Sequence, residues 1–130
     1  MIVIDASVLY EAIIETPYSA AIVDRIFSDD ETLHAPHLVD LEIVNTLRRY
    51  VLKGELSERS ASQAMEDFAS IPLKRHTHTG LIPRIWQLRN NLTAYDAAYI
   101  ALAEMLNVPL ITRDTAFASS TGHNVHVELI

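Results

Sequence analysis

The chain has no cysteine, three glycines, five prolines and one tryptophan in 130 residues. Without thiols there is neither a disulfide framework nor a thiolate metal site, and the composition fits a reducing cytoplasm. Three glycines exclude a glycine-rich phosphate loop. No apolar run approaches the ~20 residues that cross a bilayer. Met1-Ile2-Val3-Ile4-Asp5 carries no basic segment ahead of an apolar stretch, so it reads as a first strand, not a secretory signal. A cytoplasmic protein with no membrane association is expected. Bases are also scarce, ten against 17 acids, for a net charge of −7. That is the wrong sign for binding phosphate by charge alone. Bound cations, or a partner carrying a basic segment, would correct the balance. The local groups Arg48-Arg49-Lys53, Lys74-Arg75 and Arg84 with Arg89 read first as solvated helix faces and a strand end.

What is present is a globular chain, 49% hydrophobic and 21% charged, of a length that builds one core. Short apolar runs alternate with helical periodicity. Strands are expected at Ile2–Ile4, Leu33–Pro36, Ile71–Leu73, Leu110–Ile111 and Val125–Leu129. Helices are expected from a cap at Ser7 to Ile14, from Pro17 until Asp29-Asp30-Glu31, and from Leu38 to Leu52 along the stripe Val39, Ile43, Leu47. Further helices should open at Ser57, run over Leu81–Leu88, start at a Thr93 cap, and make a turn at Thr115–Ala118. The alternation predicts a single α/β domain over residues 1–130, with a mainly parallel, Rossmann-like sheet covered by helices on both faces.

Four acids stand where such a fold places its crevice, at strand ends and helix starts. Asp5 ends Ile2-Val3-Ile4, and Asp114 follows Leu110-Ile111-Thr112-Arg113. Asp96 opens the Thr93 helix, and Glu42 lies near the start of another. Each has an ordinary structural reading. Asp5 and Asp114 would serve as helix caps or turn residues, and Thr93-x-x-Asp96 has the spacing of a capping box. Glu42 could pair with Arg48 or Arg49 further along the same helix. Independent caps, however, have no reason to gather round one crevice. Four carboxylates there repel unless a divalent ion sits between them. An all-oxygen set selects a hard cation, Mg²⁺ or Mn²⁺, which implies water-driven hydrolysis of a phosphodiester. His34-x-x-His37 and His76-Thr77-His78 lack helical zinc spacing and read as surface or loop residues. Trp86, Tyr50 and Tyr99 fall at helical apolar spacings and read as core or interface residues rather than base-stacking platforms.

Four blocks together resemble a PIN-domain ribonuclease, and most of all the toxin component of VapBC toxin–antitoxin pairs. They are Val3-Ile4-Asp5-Ala6-Ser7, Leu41-Glu42-Ile43-x-Asn45, Thr93-Ala94-Tyr95-Asp96-Ala97-Ala98-Tyr99 and Leu110-Ile111-Thr112-Arg113-Asp114. The resemblance spans the chain, and Thr93-x-Tyr95-Asp96-Ala97 is its most specific part. It implies a Mg²⁺ site, with Mn²⁺ able to substitute, in which Asp5 and Asp96 are the main ligands and Glu42 and Asp114 complete the pocket. It implies supporting roles for Thr112, Ser7 and Asn45, and RNA contacts from Arg113 and Arg49. RNA as substrate, a homodimer, and a cognate antitoxin whose basic segment enters the acidic pocket are further implications. The stretch from Ser57 to Arg89 matches only in helical character.

Two other acid-bearing α/β classes fit less well. A signalling receiver domain needs a lysine after its last strand, and the only lysines are Lys53 and Lys74. A phosphatase with an aspartate nucleophile would carry a second aspartate two residues after Asp5, where Ser7 stands. A catalytically silent PIN fold that binds RNA or a partner is the remaining alternative.

Overall fold

The computed structural model describes residues 1–28 and 30–130. The chain runs β1 (Ile2–Ile4), α1 (Ala6–Ile13), α2 (Ser19–Ile26), β2 (Leu33–Pro36), α3 (Leu38–Leu52) and α4 (Glu58–Ser70). It continues through β3 (Leu73–His76), a 3₁₀ turn (Thr79–Leu81), α5 (Ile82–Gln87), α6 (Ala94–Leu106), β4 (Leu110–Thr112), α7 (Thr115–Ala118) and β5 (Val127–Leu129).

The five strands pair in the order β3-β2-β1-β4-β5, and every pairing is parallel. From β1 the chain steps outward to β2 and β3, then returns across the sheet to start β4 on the far side of β1. Right-handed crossovers put helices on opposite faces when the direction of travel reverses. Accordingly α1 packs against α2, α3 and α4, while α6 lies across β1, β2 and β4. The reversal falls between β1 and β4, and the carboxyl ends of those two strands form the crevice where such sheets bind ligands.

Both faces being covered explains why β1, β2 and β4 are buried at every position. Helix α6 is buried without interruption from Ala97 to Ala103. Its alanines let the backbone lie close to the sheet, and a helix apolar on all sides belongs inside. It ends on Asn107 in the left-handed conformation, φ 54°, which asparagine tolerates better than most residues.

Several boundaries differ from expectation. The cap of α1 is Asp5, whose Oδ1 accepts from Val8 N–H at 3.1 Å, and Ser7 sits inside the first turn. Pro17 precedes the Tyr18 cap of α2 and is not in its first turn. Strand β3 begins at Leu73, two residues late, because it is an edge strand with one buried side chain. The expected Leu81–Leu88 helix breaks into the 3₁₀ turn and α5, and β5 starts only at Val127. Of the expected break at Asp29-Asp30-Glu31, Asp29 lies outside the described residues. No helix is long and apolar enough to cross a membrane among the described residues.

Candidate active site

At the switch between β1 and β4, a pocket of about 420 Å³ is lined by Asp5, Glu42, Asp96 and Asp114 together. Residues from positions 5 to 114 of the sequence thus meet on one surface. A larger hollow of about 670 Å³ lies at the other end of the strands, where Pro109 and His126 precede β4 and β5. Its Arg84 and Glu104 neutralise each other at 2.8 Å. The smaller pocket holds the unpaired charge, and the chemistry belongs there.

Asp5 leaves β1 and is 5% exposed. Its Oδ1 accepts from Ser7 Oγ at 2.6 Å and from Val8 N–H at 3.1 Å, and its Oδ2 accepts from Thr112 Oγ1 at 2.6 Å. A carboxylate has about four lone-pair positions. Oδ1 is therefore fully engaged, and Oδ2 keeps one direction free. Burial still pushes this carboxyl above its ordinary value, against three donors that pull it down, and the charge of Asp114 adds to the rise.

Thr112, fully buried at the end of β4, ties the two strand ends together. The same hydroxyl that donates to Asp5 accepts from Asp114 N–H at 2.9 Å. Ser7 makes a second tie, since its Oγ accepts from Arg113 N–H at 3.0 Å. Asp114 itself caps α7, with Oδ1 accepting from Ala116 N–H at 2.8 Å.

On α6, Thr93 Oγ1 accepts from Asp96 N–H at 3.1 Å, which is half of the expected capping box. Burial, and then the charge of Asp114, raise the Asp96 carboxyl, with the Thr93 hydroxyl opposing. The ordinary readings of Asp5, Asp96 and Asp114 therefore coexist with convergence. Each carboxylate is oriented by a helix start, the end whose dipole favours negative charge.

Glu42 does not make the expected pair with Arg48 or Arg49. It accepts instead from the Tyr99 hydroxyl at 2.6 Å. Burial raises its carboxyl most, Tyr99 opposes, and the charges of Asp5 and Asp96 raise it further. Tyr99 was expected only as a packing residue, but a buried tyrosine needs a partner for its hydroxyl. Its place one helical turn after Asp96 was the signal that it shares the pocket.

No base forms an ion pair with any of the four acids among the described residues. Arg49 and Arg113 line the same pocket, as does Asn45. Arg113 lies 4.7 Å from the Tyr18 ring and 3.9 Å from Glu11, and Arg49 leans over the Tyr50 ring at 5.7 Å. No three His, Asp or Glu side chains are close enough to share one ion directly among the described residues. The donor set nonetheless fits a hard cation, because Mg²⁺ takes one or two carboxylates and keeps several waters.

Away from the pocket, one expectation fails. His34 is not a surface residue: it is 3% exposed in β2, bonded to Thr32 Oγ1 at 2.9 Å and to His76 Nε2 at 2.8 Å. Of the two readings of Trp86, core or interface, the structure removes the first, since the ring is 65% exposed with Arg89 stacked 4.6 Å from it.

A PIN domain model matches residues 2–121. Ribonuclease VapC12 of Mycobacterium tuberculosis is 40% identical over 130 residues, covering 100% of this chain and 99% of its own. VapC ribonuclease Mb0985 of Mycobacterium bovis is 39% identical over 122 residues, covering 94% of this chain and 91% of its own. Among solved structures, PAE2754 from Pyrobaculum aerophilum superposes with a TM-score of 0.72 at 26% identity, over 98% of this chain and 82% of its own. Mycobacterium tuberculosis VapC20, described as a sarcin-ricin loop cleaving toxin, shares the fold with a TM-score of 0.66 at 15% identity, over 93% of this chain and 97% of its own. With the match running from β1 past α7 and all four acids inside it, the chain belongs to the PIN-domain family, as one of its VapC members.

Proposed function

We propose that this chain is a Mg²⁺-dependent endoribonuclease, the toxin of a type II toxin–antitoxin pair, that hydrolyses RNA phosphodiester bonds. One observation carries the reading: four carboxylates, none ion-paired among the described residues, line a single pocket at the sheet's switch point. The relatives' description as ribonucleases supports the same activity.

Asp5 Oδ2 and the Asp96 carboxylate would hold the ion, with Glu42 and Asp114 meeting its waters. When bound, the ion neutralises the phosphate and lowers the pKa of an attacking water. The chain supplies the rest. Thr112 and Ser7 fix the Asp5 carboxylate in one orientation, so none of it has to be reorganised during reaction. Tyr99 keeps Glu42 turned into the pocket and favours its ionised form, the form that accepts a proton from water. Arg49 and Arg113 offer positive charge to the RNA backbone beside the acids. Asp5, Glu42 and Asp96 are all raised by burial and by neighbouring acids, a cost that a bound cation would offset.

The surplus of acids over bases lining the pocket suits an antitoxin whose basic segment enters it. Exposed Leu41, Val44 and Leu52 on α3, with Ile82 and Trp86 on α5, supply apolar surface for a homodimer.

The test is RNA cleavage by the purified chain with Mg²⁺ or Mn²⁺, alongside Asp5→Asn and Asp96→Asn. Cleavage should stop in chelator, return with Mn²⁺, and be absent in both folded variants. Cleavage by both variants would overturn the assignment, and RNA binding without cleavage by the unaltered chain would make it a silent binding module.

A further inference from the structure

The pocket has a second end that the four acids do not use. Along α3, Glu42, Thr46, Arg49 and Tyr50 recur at i, i+4, i+7 and i+8 and all line it. Eight residues of helix span about 12 Å, so the pocket is a trough with Glu42 at one end and Tyr50 at the other. At the Tyr50 end the ring stacks on that of Tyr10 from α1, centroids 5.3 Å apart and planes 22° from parallel. The Arg49 guanidinium lies 5.7 Å from the Tyr50 centroid and has no carboxylate partner among the described residues.

Packing accounts for only part of this corner, where Tyr10 is the ring that rests against the core. Both rings are only half-buried and line the pocket, and neither hydroxyl bonds to protein among the described residues, so aromatic surface stays open to a ligand. A trough that is anionic at one end, and aromatic with a free guanidinium at the other, has the two chemistries of a nucleotide in sequence. Phosphate goes to a cation held by the acids, and a base goes to flat rings. Stacked nucleotides advance about 3.4 Å each, so the trough holds about three.

We propose that Tyr10 and Tyr50, with Arg49, form a base-stacking subsite for single-stranded RNA, within three nucleotides of the bond that is cut. The proposal rests on the ribonuclease reading above and adds to it the part of the substrate that is recognised. The rings accept any base, because every base has a π-face. The subsite therefore selects for an unpaired, unstacked nucleotide and not for one sequence.

The test is a coupling measurement that needs no turnover. A fluorescein-labelled single-stranded oligoribonucleotide is bound to the full chain in chelator at low salt, and compared with a set of the same strands lacking one base at each position in turn. Removing the base at one position should weaken binding on the order of tenfold, the size of one aromatic stack. Tyr10→Leu/Tyr50→Leu should weaken the intact strand equally and lose the penalty for the missing base. Tyr10→Phe/Tyr50→Phe should restore both, since the ring and not the hydroxyl is responsible.

A flat profile, with no missing base costing the unaltered chain more than about twofold, overturns the subsite without any variant being needed. So does a penalty that persists unchanged in the leucine pair, which would place the stack elsewhere and leave these rings to a protein partner. If RNA is cleaved but the profile is flat, the subsite alone falls. If the chain neither binds nor cleaves RNA, the ribonuclease reading falls with it.

Discussion

The Tyr99 hydroxyl donates to Glu42 Oε1 across 2.6 Å and joins α6 to α3 at the acid pocket. The ring is held edge-on by Phe117, centroids 6.2 Å apart at 82°, so the hydroxyl has little freedom to leave. A donor to the ionised form pulls a carboxyl down, here against the burial that raises it. Tyr99→Phe should therefore let the Glu42 carboxyl rise further, leaving more of it protonated at mildly acid pH. The acid limb of the pH–rate profile should move to higher pH, with about 1–2 kcal/mol of stability lost in thermal unfolding. A limb that stays in place would take Glu42 ionisation out of the rate.

Thr112 serves two acids through one oxygen, donating to Asp5 and accepting from Asp114 N–H. Thr112→Val keeps the shape and deletes both bonds in a fully buried place. The expected cost is about 2 kcal/mol, or roughly 6–10 °C in Tm, together with loss of RNA cleavage. Thr112→Ser restores the hydroxyl and should recover most of both. Equal losses in the two variants would show that the hydroxyl alone does not carry the effect.

These two residues mark the limit of what could be read from the chain. The acids were legible because each directly follows an apolar run or opens a helix, and a parallel sheet sends such positions to one edge. Thr112 was legible as part of the block that ends in Asp114. The Tyr99–Glu42 bond was not, because its partners are 57 residues apart and Glu42 had plausible arginines further along its own helix. Cap identity at α1 was open between Asp5 and Ser7, both good caps, and only the backbone at Asp5, extended at φ −97°, settles it. Strand β3 was misplaced because Lys74-Arg75-His76 lies on an edge, where polar residues carry no burial pattern. The tyrosine pair at the far end of the trough joins α1 to α3, a contact that no local periodicity encodes.

Crowded carboxylates should make their own ionisation costly. Asp96 is raised first by burial and then by Asp114, so the native state favours its protonated form. The sign follows from that. The cost of ionisation is absent below the ordinary value of 3.8 and grows as the pH rises through the higher native value. Asp96→Asn should therefore stabilise the protein near pH 7, on the order of 1 kcal/mol or about 3–5 °C, with the gain fading towards pH 4. Saturating Mn²⁺ should raise the Tm of the unaltered chain more than that of the variant. Equal shifts with Mn²⁺, and no gain without it, would remove Asp96 from the group of acids that share the charge.

His34 provides a pH dependence of opposite sign. Its ring is lowered mainly by burial, then by His76, Lys74 and the N-terminal amine. Its Nδ1 faces His76 Nε2 at 2.8 Å, a contact that needs one donor and one acceptor. Below 6.5 the unfolded chain takes up a proton that the native ring resists. The stability that His34 contributes is thus fully present above 6.5 and is lost as the pH falls through the lower native value. Compared with His34→Leu, the unaltered chain should hold an advantage of about 1–2 kcal/mol near pH 8 from its two bonds. The gap should narrow between pH 6.5 and 5. Thermal scans of both proteins across that range cancel the carboxylate effects, which the two share. A gap that stays constant would show that protonation of this ring is not coupled to folding.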